Sequence, residues 1–178
     1  MKYQSVFDAV EKALSVAGYE APIKTIDPSA LAGDMFDHSK PRASELTRLD
    51  WVAHYGMTKS LICDALGGPS DPRWLCLVVR YCYDPILRTD ARNEVAKLVP
   101  QRMPRLKRLA TVAVWGGGID LTYKEIDQGD GTNEKTLGRH IREIRKQLDD
   151  WHDAAEKELA PVLSDAGLLR CVDELDFA

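Results

Sequence analysis

The chain has 178 residues, of which 44% are apolar and 29% charged, with a formal net charge of −4. That length suits one compact domain or two small ones, and the apolar fraction excludes wholesale disorder. The small negative charge excludes a polycation that coats nucleic acid by bulk attraction. No apolar run approaches the ~20 residues of a membrane span. The opening stretch, with Asp8 and Glu11 early, carries no signal-peptide pattern. The expectation is a cytoplasmic, all-α protein with no membrane partner.

In chain order, Val6, Val10, Ala13, Leu14 and Ala17 at helical spacing predict a helix over 2–17, closed by Gly18. Residues 18–42 hold Pro22, Pro28, Gly33 and Pro41 without a sustained period and read as an irregular or mobile connection. A longer helix is expected from Ser44, as N-cap, to Leu66. Its apolar positions are Leu46, Leu49, Val52, Ala53, Met57, Leu61 and Ile62, and Gly67-Gly68-Pro69 ends it. Asp71 and Pro72 then supply an N-cap and a first-turn proline. Trp74 to Tyr83 is apolar nearly all round, interrupted by Arg80, as a helix buried on most sides would be. Val78, Val79, Tyr81 and Tyr83 also suit a strand, but no second alternating segment exists to pair with it. Thr89 is expected to cap a short helix through Val95 and Leu98 that Pro100 stops. After Met103-Pro104 a helix spans Arg105 to Trp115, with Leu106, Leu109, Ala110 and Ala113 inward, and Gly116-Gly117-Gly118 lets the chain turn.

Cys63, Cys76, Cys82 and Cys171 have no two-residue spacing of a zinc or redox site, and no histidine lies close to them in sequence. Those in the helical patterns read as reduced core thiols. Asp120, Glu125, Asp127 and Asp130 match no calcium loop, Gly116 to Gly118 lacks the lysine and spacing of a phosphate loop, and His140 and His152 have no nucleophile nearby. No cofactor, metal or catalytic constellation is expected, so the chain reads as a non-enzyme.

Charge is unevenly spread. Residues 97–148 carry 11 Lys or Arg against 6 Asp or Glu, whereas residues 149–178 carry 2 against 9. A basic segment in an acidic protein is what a local phosphate-binding face looks like, and also what an exposed, solvated helical surface looks like. Within it, Thr122 and Glu125 form a capping box over Leu121-Thr122-Tyr123-Lys124-Glu125-Ile126. Gly129-Asp130-Gly131 follows at once, and Asn133 caps a helix carrying Leu137, Ile141, Ile144, Leu148 and Trp151. Helix, glycine-containing turn and longer basic helix form the helix-turn-helix plan.

Leu121, Thr122, Glu125, Ile126, Gly131 and Leu137 stand in the pattern Leu-Thr-x-x-Glu-Ile, Gly five further on and an aliphatic six beyond that. Over 121–148 the chain thus resembles the C-terminal promoter-binding region of bacterial sigma factors and related regulators. The resemblance implies that helix 105–115 supports the unit and that the last helix enters the major groove of double-stranded DNA. Asn133, Glu134, Lys135, Thr136 and Arg139 would face the groove, with Arg142, Arg145 and Lys146 on backbone phosphates. Arg139 is suited to a guanine, Asn133 to an adenine and Thr136 to a thymine methyl. The chain departs from the pattern at Asp127, Asp130 and Thr132, where small or aliphatic residues are preferred. It also places Gly138 inside the second helix.

The size and arrangement also resemble phage Q-type late antitermination regulators, which implies RNA polymerase or a sigma factor as partner. The expected organisation is an N-terminal helical region over 1–100, a helix-turn-helix unit over 101–152, and an acidic segment over 153–178 that docks on the core. The stripe from Leu137 to Trp151 offers either a homodimer seam or packing on its own domain. The rival readings are a small terminase subunit for DNA packaging, assembled as a ring, and a protein-interaction module with a degenerate helix-turn-helix.

Overall fold

In a computed structural model of the chain, residues 2–15, 48–117, 119–127 and 129–170 are described, and these form seven helices and no strand. They are α1 (Val6–Ser15), α2 (Arg48–Ala65), α3 (Pro72–Tyr81), α4 (Pro85–Leu98), α5 (Arg105–Trp115), α6 (Tyr123–Asp127) and α7 (Glu134–Asp165). The all-α expectation holds, and no described helix is long and apolar enough to cross a membrane. The connection over 18–42, the Ser44 cap, Gly118 and Cys171 lie outside the described residues.

α3 is the centre. Asp71 starts it by accepting the Arg73 N–H at 2.8 Å, with Pro72 in the first turn. Trp74 to Val79 are all buried, which is why the run carries almost no polar residue. Around it pack α1, through Val6, Ala9, Val10, Ala13 and Leu14, then α4 and the long α7. Cys76 and Cys82 are buried free thiols, and burial pushes the Cys76 thiol up to about 12, so it is an inert core group.

Three local expectations need correction. Asp84, not Thr89, caps α4: its carboxylate accepts the Ile86 and Leu87 N–H groups at 2.8 and 3.2 Å, with Pro85 first in the helix. An aspartate before a proline is the stronger start signal, and Thr89 instead returns its hydroxyl to the Pro85 carbonyl at 2.7 Å. On α5, Ala113 is buried and Leu109 and Ala110 pack against the core as expected, but Leu106 is 61% exposed, and Lys107, Arg108, Thr111 and Val112 are buried beside them. On α2, Ile62 is buried as expected, but Met57, read as part of the same apolar face, is 75% exposed.

α3, α4 and α5 meet at Gly116. Arg88 reaches from α4 to bond the Val79 carbonyl at 2.8 Å and the Gly116 carbonyl as well, clamping the end of α5 against α3. Gly117, at φ +72°, makes the turn that follows. The last described residues return to the start of the chain: Tyr3 donates its N–H to Leu168 O at 2.6 Å, and Arg170 donates to Tyr3 O at 3.0 Å.

Candidate nucleic-acid interface

The basic segment folds as α5, α6 and the first half of α7. Thr122 and Glu125 form the capping box: Glu125 accepts the Thr122 N–H at 2.7 Å, and its own N–H approaches the Thr122 hydroxyl at 3.4 Å. Ile126 and Leu137, one on each side of the turn, are both buried.

The polar departures in the turn are its fastening. Lys107 is 3% exposed, and its ammonium donates to Asp127 at 2.6 Å and to the Thr132 hydroxyl at 2.8 Å, with Asp130 at 3.1 Å. Three donors thus meet three acceptors, leaving the buried charge satisfied. Asp127 uses its other oxygen to accept the Thr132 N–H at 3.2 Å. The hydrogen bond from Lys107 holds the Asp127 carboxyl below the usual carboxylate range, and Asp127 in turn raises Lys107. The link between α6 and α7 is thus closed by an ion cluster reaching back to α5.

Asn133 ends the turn as a cap, its amide oxygen accepting the Lys135 N–H at 3.0 Å. α7 then runs 32 residues without a break, through Pro161. Leu137, Ile141, Ile144 and Leu148 are buried within the chain, and Trp151 is half-buried, so the apolar stripe packs on its own domain.

Lys135, Arg139, Arg142 and Lys146 follow one another by four, three and four residues, which places them on one face of the helix. All four are exposed, and none forms an ion pair among the described residues. The stripe is about 16 Å long at 1.5 Å per residue. Arg142 lays its Nε against the Gly138 carbonyl at 3.2 Å. Glu134 is exposed beside the stripe, Thr136 is half-buried, and Arg145 is half-buried with its Nε turned in. Beyond Leu148 the helix becomes acidic. Asp149 accepts the Trp115 indole N–H at 2.8 Å, and Asp150 and Asp153 are exposed. On the opposite flank Arg102 pairs with Glu143 at 3.3 Å.

Two groups escaped the sequence reading. Lys107 was hidden because its partners lie 20 and 25 residues away in the chain. His152 is buried at the meeting of α1, α3, α5 and α7, stacked on Phe7 at 4.5 Å and bonded to the Tyr81 hydroxyl at 3.0 Å. Among the described residues no group of side chains could hold a metal ion. No family model matches this chain, and comparisons with curated proteins and with solved structures find no match.

Proposed function

We propose that the chain is a DNA-binding transcription regulator in which α5, α6 and α7 act as a helix-turn-helix and the first half of α7 meets the major groove. The observation that carries this reading is the stripe of four exposed, unpaired cations on the helix that follows the fastened turn. Phosphates attract such a stripe without regard to sequence. Arg139, near its start, is the side chain suited to paired hydrogen bonds with a guanine. Asn133 has committed its oxygen to the cap, so base reading rests chiefly on Arg139. One unit spans few base pairs, and RNA polymerase or a sigma factor is the partner that would supply the remaining affinity, as in late-gene antitermination.

The test is binding to mixed genomic fragments at about 50 and about 200 mM salt. Four neutralised phosphates give a slope near −3.6, hence roughly a hundredfold loss of affinity over that range. Arg142→Ala should flatten the slope by about 0.9 and weaken all sequences alike, whereas Arg139→Ala should relax selectivity. No retention at the lower salt would overturn DNA binding.

A second reading, a protein-interaction module, is favoured by exposed Leu106, Ile119 and Tyr123 on the elements around the stripe. In that case partner binding should be insensitive to Arg139→Ala and sensitive to Leu106→Asp. A ring-shaped particle in native mass measurement would instead support a DNA-packaging subunit.

A further inference from the structure

α2 packs on α1, and α4 packs on α3. Between the two pairs lies an apolar trough of about 930 Å³. Trp74, Leu75 and Val78 of α3, all buried, line its base. Met57 of α2 and Leu87 of α4 line it as well, and at 75% and 40% exposed they stand at its mouth. Water in such a trough lies against carbon, so an apolar occupant gains the burial that these side chains lack.

Shape and charge select the occupant. The lining of α2 runs from Ala53 to Asp64, about 16 Å at 1.5 Å per residue. That is about three turns, the length over which a docked helix presents anchors at i, i+3 or i+4, and i+7. Ala53, Gly56, Met57 and Ser60 are all exposed along it, so the trough opens on its side, whereas a small molecule sits mostly enclosed in its pocket. The rim is acidic. Asp64 of α2 and Asp90 and Glu94 of α4 line it, all exposed, and among the described lining residues Lys59 is the only cation. Glu94 pairs with Lys97 of its own helix, and Asp64 and Asp90 form no ion pair among the described residues.

We propose that this trough receives a basic amphipathic helix of a partner protein. Its apolar stripe seats against α3, and its Lys or Arg residues meet Asp64, Asp90 and Glu94. No described residue of α5, α6 or α7 lines the trough, and the site does not depend on the DNA reading.

Selection on the full chain from a displayed library of helix-forming peptides tests it. Enriched peptides should share apolar residues at i, i+3 or i+4, and i+7, flanked by Lys or Arg. Gly56→Leu is the blocking variant. A Cβ at Gly56 meets nothing within 4 Å, and leucine is the better helix former, so Tm should hold or rise. Affinity for the enriched peptides should meanwhile fall by about tenfold or more, because the added side chain occupies their place. Asp90→Lys with Glu94→Lys should weaken binding by about tenfold at low salt, and by less as salt screens the rim. Lys146→Gln, on α7, should bind as wild type does. No enrichment, enriched peptides with acidic flanks, or an affinity that survives Gly56→Leu would overturn the site. So would a lower Tm in Gly56→Leu, which would give the trough to the chain's own residues between α1 and α2. A dimer that Gly56→Leu dissolves would likewise overturn it, giving the trough to a second copy.

Discussion

Gly116→Ala probes the position where, among the described glycines, an added Cβ would meet its neighbours most closely. A Cβ at this position would stand 2.6 Å from Val79 Cγ1, 3.0 Å from the Val79 carbonyl oxygen and 3.4 Å from the Val112 carbonyl oxygen. Carbon atoms pack best at about 3.5–4.0 Å, so α5 and α3 must part by about 1 Å or Val79 must leave its rotamer. Neither relief is cheap. Val79 is fully buried and β-branched, and its carbonyl is held by Arg88 at 2.8 Å. Overpacking of this kind costs about 1–3 kcal/mol, against which alanine recovers up to about 1 kcal/mol of helix propensity. The net expectation is a loss of about 1–2 kcal/mol, or a Tm lower by about 2–8 °C for a chain of this length. Far-UV circular dichroism melts measure it directly. Adding Val79→Ala removes the nearest clashing methyl, so the double variant should be more stable than the two single losses predict, by about 1 kcal/mol. A Gly116→Ala protein that melts at or above wild type would refute the close approach, and additive losses would place the cost elsewhere.

Gly138→Ala should act in the opposite direction. A Cβ there meets only Tyr123 Cε1 at 3.9 Å, an ordinary contact, so helix propensity should raise stability by up to about 1 kcal/mol, seen as a Tm gain of a few degrees. Lys107→Met should lower Tm by leaving Asp127 without its buried partner. Lys107→Met with Asp127→Leu should recover part of the loss, and a double variant no better than the single would count against the ion cluster as the turn's fastening. The same cluster predicts acid sensitivity. The Asp127 carboxyl is held low in the fold, so its contribution is complete above the ordinary carboxylate range and is lost as pH falls through its folded value. His152 adds a second pH window. Burial first, then Arg80, holds its imidazole below the usual value of about 6.5, so the unfolded chain takes the proton first and stability falls as pH drops below about 6.5. His54 shifts in the same direction through burial. Melts between about pH 7 and about pH 5 should therefore show a falling Tm that His152→Gln flattens, and an unchanged slope in that variant would exclude His152 as the cause.

Several helices were legible because local chemistry bounds them. Asp71-Pro72 and Gly67-Gly68 work within a few residues of the ends they set, and the all-round apolar run of α3 announces its own burial. The capping box and the buried pair Ile126 and Leu137 were readable for the same reason. What escaped were polar groups whose meaning depends on distant partners. Asp127, Asp130 and Thr132 look misplaced in a turn until Lys107 arrives from α5, and Lys107 looks like a surface residue until the turn folds over it. Leu106 on α5 illustrates this: counting only apolar residues sends it inward, whereas the place is taken by Lys107, whose satisfied ammonium is as well accommodated inside. The stripe on α7 was visible as composition, but its separation from half-buried Arg145 needed the helix to be placed on its core.

The unbroken length of α7 has a mechanical consequence. At 1.5 Å per residue its 32 residues extend about 48 Å, with Leu159 and Leu163 gripped in the core at one end and the cationic stripe at the other. The stripe is thus fixed to a rigid element rather than carried on a tether. Its orientation is set once, when the core packs, so a molecule that docks against it spends little of its binding energy on ordering the helix. Leu137, Ile141, Ile144 and Leu148, buried beneath the stripe, anchor that end as well, so the cations cannot reorient unless the core beneath them repacks.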